Sequence, residues 1–285
     1  MDTIGMATAM EKTTRFDDLP VGCVAHVLAL TSPRDVCRCA AVSPSFRDAA
    51  ESDTVWERFL PADYLAILLR SGSGRLPPPS SKKEAYLRLS DSGVLVIDSS
   101  DTAVWLARGS GAKCVALPAR KLSLPWDDGE FSWRWTSHPL SRFPEVAQLV
   151  GCTGLDIYGR LPASALTPAT DYAAYLVFGV ADEGHRGLSF PDQETTVAVG
   201  GRAASSHAVC LCPDEGEARK FSGVAHADGV RRPERRDDGW SEMEMGRLRV
   251  DETVVAEEEV VVSFEVLGWY PKCGLVVEAV KFRPL

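Results

Sequence analysis

Basic residues are in deficit. The 31 Lys and Arg against 40 Asp and Glu leave a formal net charge of -9 and an isoelectric point near 5.2. Phosphate recognition depends on Lys and Arg displacing counterions, so no nucleic-acid partner is expected. Long apolar runs are missing too. The longest, Tyr172 to Phe178, falls far short of the about 20 residues that span a bilayer, and Met1 to Arg15 has no apolar core of the signal-peptide kind. No membrane association is expected, and the cytoplasm, the nucleus or both is the expected location. The five histidines (His26, His138, His185, His207, His226) never fall into H-E-x-x-H spacing, and neither G-x-S-x-G nor a P-loop occurs. The chain is therefore not expected to be an enzyme, and no residue is nominated as catalytic. Eight cysteines without one C-x-x-C signal neither a zinc ribbon nor a disulfide framework. They are expected to be reduced, buried thiols, with no metal and no cofactor.

What is present begins with helix punctuation between residues 16 and 64. Leu19-Pro20 opens a first helix. Ser32 can cap a second, with Pro33 at the first helical position, where a missing N–H costs nothing, and Asp35 near the positive helix end. Ser43-Pro44 repeats the device before Phe46, and Ser52 or Asp53 can cap a last helix through Trp56 and Phe59. Helices this short cannot hide their apolar residues among themselves, so part of that surface should face a partner or the next domain.

Residues 65–92 read as a linker plus a short helix. Arg70 to Ser81 is rich in Gly, Ser and Pro, and Ser81 precedes a helical stretch with Tyr86 and Leu89 on one face. From residue 93 to 285 the pattern turns to short β-rich runs broken by Gly, Pro and Asp, which predicts an all-β, two-sheet sandwich. Leu155, Ile157, Gly159 and Leu161 alternate with polar residues, as do Val260, Val262, Phe264 and Val266. Tyr172 to Phe178 is apolar throughout and belongs in mid-sheet, covered on both faces. Ala181 to Ser206 and Pro213 to Asp238 are expected to be long surface loops. The segment Leu122 to Trp135 holds three of the seven tryptophans around Asp128-Gly129. A hairpin there could carry Trp126 and Trp133 to a sheet rim, where exposed rings stack on a sugar face or an apolar side chain; the other reading makes the three rings core anchors.

Phe16, Leu19-Pro20, Ser32-Pro33-Arg34-Asp35, Val42-Ser43, Phe46, Ser52-Asp53, Val55-Trp56 and Phe59 resemble an F-box. That resemblance implies docking on the Skp-type adaptor of a cullin-RING ubiquitin ligase, with Leu19, Pro20, Val36, Val42, Phe46 and Trp56 as the adaptor-binding residues.

Blocks from Ala119-Arg120 through Trp126-Asp127, Trp133-Arg134-Trp135, Leu155-Asp156-Ile157-Tyr158-Gly159, Tyr172 to Phe178, Asp238-Gly239-Trp240 and Gly274 to Pro284 are similar, in order, to the plant phloem-lectin (Nictaba-like) family. This implies a jelly-roll-like sandwich that, in sugar-binding members, recognises N-acetylglucosamine oligomers or N-glycan cores. The sugar site would fall on Trp126, Trp133, Glu258 and Glu265. The expected architecture is thus α+β multidomain: a disordered start (1–15), a small helical F-box (16–64), the linker and short helix (65–92) and the phloem-lectin-like sandwich (93–285). The expected function is the substrate-receptor subunit of a Skp-cullin-F-box ligase that selects glycoproteins. The alternative keeps the ligase role and makes the β domain a protein-interaction module without sugar binding.

Overall fold

The computed structural model describes residues 19–70, 77–91, 96–97, 102–124, 132–181, 184–190, 192–213, 229–251 and 258–285. Phe16, Trp126, the start expected to be disordered (1–15) and parts of the Gly/Pro-rich stretch and of the stretch 213–238 lie outside the described residues.

Six short helices come first: α1 (Val21–Ala29), α2 (Pro33–Ala40), α3 (Pro44–Ala50), α4 (Asp53–Phe59), α5 (Tyr64–Arg70) and α6 (Lys82–Ser90). Their starts follow the expected chemistry. The hydroxyls of Ser32, Ser43 and Ser81 accept the N–H groups of Asp35, Phe46 and Glu84 at 3.2, 3.2 and 3.1 Å. At α4 the N-cap position belongs to Ser52, which makes no side-chain cap bond.

These helices bury a core of Val24, Leu28, Val36, Val55, Trp56, Tyr86 and Leu89. Trp56 sits at its centre, with its indole N–H donating to the Ala50 carbonyl at 2.6 Å and its ring 5.1 Å from that of Tyr86. Helix α6 is therefore part of this core and not a solvated spacer. The same core takes in Leu106 and Val104 of the β region. The Tyr86 hydroxyl reaches the carbonyls of Ala107 and Arg108 at 3.2 and 3.1 Å, and Lys113 pairs with Asp63 at 3.0 Å.

Among the described residues thirteen strands follow. The larger antiparallel sheet runs β1 (Val96–Ile97), β2 (Ala103–Leu106), β3 (Lys113–Pro118), β13 (Leu275–Pro284), β7 (Thr170–Val180), β11 (Ser241–Val250) and β10 (Glu234–Arg235). Strand β5 (Val146–Leu149) also pairs with β13 and carries β4 (Trp133–Thr136). The smaller antiparallel sheet runs β6 (Leu155–Pro162), β12 (Glu259–Val266), β8 (Gln193–Val199) and β9 (Arg202–Val209).

The inner faces of the two sheets close on one core, with Phe178, Leu176, Phe264, Ile157, Val262 and Phe282 at its middle. The alternations in β6 and β12 point inward as expected. Strand β7 lies between β13 and β11, and its outward Val177 is covered by Trp240 and Val146, so both its faces are buried.

Before β4 a 3-10 turn at Ala119–Lys121 leads to a single bridge between Ser123 and Tyr158. One expectation about the β region fails. The stretch 181–206 is mostly a hairpin, because Gly200 and Gly201 adopt φ of +56° and +76° and form the two-residue turn between β8 and β9. Its inward positions include polar Gln193 and Thr195, which hid the alternation. Both are satisfied: Gln193 donates to the carbonyls of Leu188 and Phe190 and accepts from Leu211 N–H, each at 2.8 Å, and Thr195 donates to the Met245 carbonyl at 2.7 Å. The cysteines also depart from expectation. All eight are thiols, but Cys23 and Cys37 are exposed and only Cys114 and Cys210 are buried.

The shared core makes a prediction. Tyr86→Ala removes an aromatic wedge and is expected to cost about 3–5 kcal/mol, and to split urea unfolding into two transitions, helical and β, where the parent chain shows one. Circular dichroism followed alongside tryptophan fluorescence checks this.

Candidate functional site

Two surfaces come into question, one on the helices and one on the smaller sheet. Of the residues expected to bind the adaptor, Val36 and Trp56 are buried inside the helical core and cannot touch a partner directly. Leu19 and Phe46 are half-buried against the same core, and Pro20 is exposed. Val42, in the turn between α2 and α3, is 77% exposed. Other apolar side chains not named from the resemblance are exposed nearby: Val21 and Val27 on α1 and Leu30 just after it, the last 69% exposed. The signal that could have found them is the helical wheel of α1, where Val24, Ala25 and Leu28 take the inner face and leave these apolar side chains outside. An open cavity of about 640 Å³ lies where the helices meet the sandwich, lined by Phe59, Asp63, Lys113, Leu166 and Val250 among others.

Of the residues expected to bind sugar, the three described, Trp133, Glu258 and Glu265, are not brought together. Trp133 opens β4 in the larger sheet, pairs with Leu149 and is only 5% exposed, packed in the sandwich core. Its large apolar area is better spent there than at a rim. Trp135 is half-buried beneath the Arg120 guanidinium, 3.8 Å from its ring centroid. Glu258 and Glu265 stand at opposite ends of β12, seven residues and so about 23 Å apart along an extended strand. Glu258 lies under the Gly200 turn, where an added Cβ would meet its carboxylate at 2.9 Å.

Glu265 has different company. The register sets it opposite Asp156 on β6 and Glu194 on β8, so three carboxylates cross the outer face of the smaller sheet in one row, with Tyr158, Ser263 and Thr196 in the next. Among the described residues no cation pairs with any of the three; Glu194 instead accepts a short hydrogen bond from the Ser206 hydroxyl. Partial burial and then the Glu265 charge hold the Asp156 carboxyl above its ordinary range. The Tyr158 phenol is likewise raised, by burial and by Glu265.

At the end of this face a loop projects Trp269, 80% exposed. Its ring lies over Gly154, where an added Cβ would meet it at 3.9 Å. The loop is held from beneath by Lys272, whose side chain is buried and whose ammonium donates to the carbonyls of Thr153, Gly268 and Tyr270 at 2.7, 2.6 and 3.0 Å. Burial lowers the Lys272 pKa from its ordinary value. Tyr270 donates to Asp192 at 2.5 Å and meets Phe190 edge-on, ring centroids 4.5 Å apart. Trp269, Asp156 and Tyr158 thus follow one another along β6 from residue 154 to 158, a reach of about 13 Å. Nothing in the periodicity of the sequence marked Trp269, because it sits in a loop after the alternation of β12 has ended.

The comparisons with known proteins agree with this two-part build. The phloem protein 2 family profile matches residues 112–284, and an F-box-like profile matches residues 16–61. The chain belongs to the phloem protein 2 family. F-box protein PP2-B10 of Arabidopsis thaliana is 34% identical over 277 residues, covering 96% of this chain and 95% of that protein. F-box protein PP2-B15 of the same plant is 36% identical over 281 residues, covering 93% and 96%. Among solved structures, a family 35 carbohydrate binding module from Clostridium thermocellum superposes with a TM-score of 0.32 at 12% identity, covering 59% of this chain and 96% of the module, too loosely to bear on ligands. An F-box followed by a phloem protein 2 domain supports a substrate-receptor role for this member of the family. No described helix is long and apolar enough to cross a membrane.

The carboxylate row gives a pH prediction. A carboxyl whose folded pKa lies above its unfolded value holds its proton more tightly when folded, so ionised Asp156 weakens the fold at neutral pH. Asp156→Asn should raise the melting temperature at pH 7. The gain should vanish below the unfolded carboxyl pKa of about 4, where the native Asp is protonated in both states. Melting curves at pH 7 and pH 3 measure it.

Proposed function

We propose that this chain is a substrate receptor of a Skp-cullin-F-box ubiquitin ligase, working in the cytoplasm or nucleus without chemistry of its own. The observation that carries the reading is the join. A helical module that leaves Val21, Val27, Leu30 and Val42 in water shares one core with a β-sandwich that presents an aromatic and carboxylate face. Exposed aliphatic side chains suit an apolar adaptor surface. Leu30→Asp with Val42→Asp is expected to abolish co-purification with a Skp-type adaptor while melting temperature stays within about 2 °C of the parent, the usual range for surface substitutions; retention of the adaptor by the double variant removes the docking claim.

For the target, a short glycan built on N-acetylglucosamine suits the outer face of the smaller sheet. Rings such as Trp269 and Tyr158 cover the C–H faces of sugars, while Asp156 and Glu265 accept from hydroxyl and amide groups. Glu265 keeps its expected role in this reading, and Trp133 and Glu258 do not share its face. The second reading, a protein-interaction surface without sugar binding, is favoured by the burial of Trp133. A glycan array separates the two. On the sugar reading the parent binds N-acetylglucosamine oligomers or N-glycan cores and Trp269→Ala loses at least about tenfold in affinity, the loss of one stacked ring. A parent that binds no glycan leaves the protein reading.

A further inference from the structure

At the end of β9, away from the carboxylate row, a thiol and an imidazole meet. The Cys212 sulfur lies 3.7 Å from His185 Nε2, within hydrogen-bond reach for a sulfur. The other ring nitrogen, Nδ1, lies 3.0 Å from the Ala181 carbonyl oxygen. A carbonyl oxygen only accepts, so Nδ1 carries the proton and Nε2 of the neutral ring is left as the acceptor facing the thiol. A nucleophile, a base and a group that orients the base therefore stand in line.

The backbone fixes both members. Cys212 N–H donates to the Leu188 carbonyl at 3.1 Å. Gly274, at φ +83°, packs so tightly on His185 that an added Cβ would stand 2.7 Å from the His185 Cβ. His185 is exposed, and beside it opens a cavity of about 640 Å³ lined by Gly184, Arg186, Cys152, Lys272 and Cys273, so small reagents can approach. Three other thiols contrast with Cys212: burial, complete or partial, pushes Cys114 up to about 12 and Cys152 and Cys210 up to about 11, which keeps them as unreactive thiols.

We propose that Cys212, with His185 as its base, is a redox-reactive thiol that a hydroperoxide oxidises to the sulfenic acid. The Cys212 proton passes to Nε2, leaving thiolate and imidazolium. The sulfur attacks the terminal peroxide oxygen; the S–O bond forms as the O–O bond breaks, and sulfur loses two electrons while the peroxide gains them. The leaving oxygen takes the imidazolium proton and departs as water or an alcohol.

The test treats the full chain with hydrogen peroxide at neutral pH, traps sulfenic acid with dimedone and follows each cysteine by peptide mass spectrometry. Cys37, exposed on α2, is the reference. The expected result is adduct formation at Cys212 at least about tenfold faster than at Cys37, with His185→Gln and His185→Ala both bringing it down to the Cys37 rate. Two results overturn the proposal: a parent chain in which Cys212 reacts no faster than Cys37, or folded variants in which its rate is unchanged. The parent-chain comparison needs no substitution, so a variant that fails to fold leaves the test standing.

Discussion

Burial of Tyr86 between two domains is the constraint on which the rest of the molecule depends. Its ring completes the packing around Trp56 and Phe59, and its hydroxyl ends on two carbonyls of the first β turn. Six helices of seven to nine residues are too short to be stable by propensity alone. They are held because Trp56 has Tyr86 to pack on, and Tyr86 has Leu106 behind it. The apolar residues left over on α1 and after it are therefore a surface the helical module leaves outside while its core is already complete.

The same economy shapes the sandwich. Its core consumes the large apolar side chains, Trp133 included, and leaves to the outer face of the smaller sheet a row of three carboxylates, one tyrosine and the Arg160–Glu259 ion pair among shorter side chains. Like charges side by side cost stability, and the Asp156 carboxyl is raised by partial burial first and by the Glu265 charge second. Strain of this kind marks surfaces kept for binding more often than surfaces kept for packing. The projecting Trp269 is held by a buried ammonium satisfied by three carbonyls, so its ring is presented on a stiff base and loses little freedom when covered.

Much of the fold was legible in the sequence because local chemistry decided it. Ser32, Ser43 and Ser81 cap helices wherever they stand before a helix former, and the alternations of β6 and β12 have only one way to face a core. The β8–β9 hairpin was not legible, since Gln193 and Thr195 take inward positions where an apolar residue is expected, and only their tertiary hydrogen bonds explain it. Of the carboxylate row, Glu265 was named from the sequence, whereas Asp156 and Glu194 join it through strand register, which periodicity does not encode. Val36 and Trp56, named as adaptor-binding from the resemblance, lie in the helical core, where the short helices need them.

The edges of the smaller sheet carry a last consequence. Along β9 the residues after Arg202, up to Ser206, are all Ala or Ser and largely exposed, and a register shift between Val197 and Ala198 bends the pair. On the opposite side Ser123 and Tyr158 exchange two backbone hydrogen bonds, at 2.7 and 3.0 Å, that cover part of β6. Both margins are thus blunted against the addition of a foreign strand. A ligand of this sheet is left to approach broadside and be recognised by side chains, so its selection can drift by single substitutions on the face while the hydrogen-bonded frame beneath stays as it is.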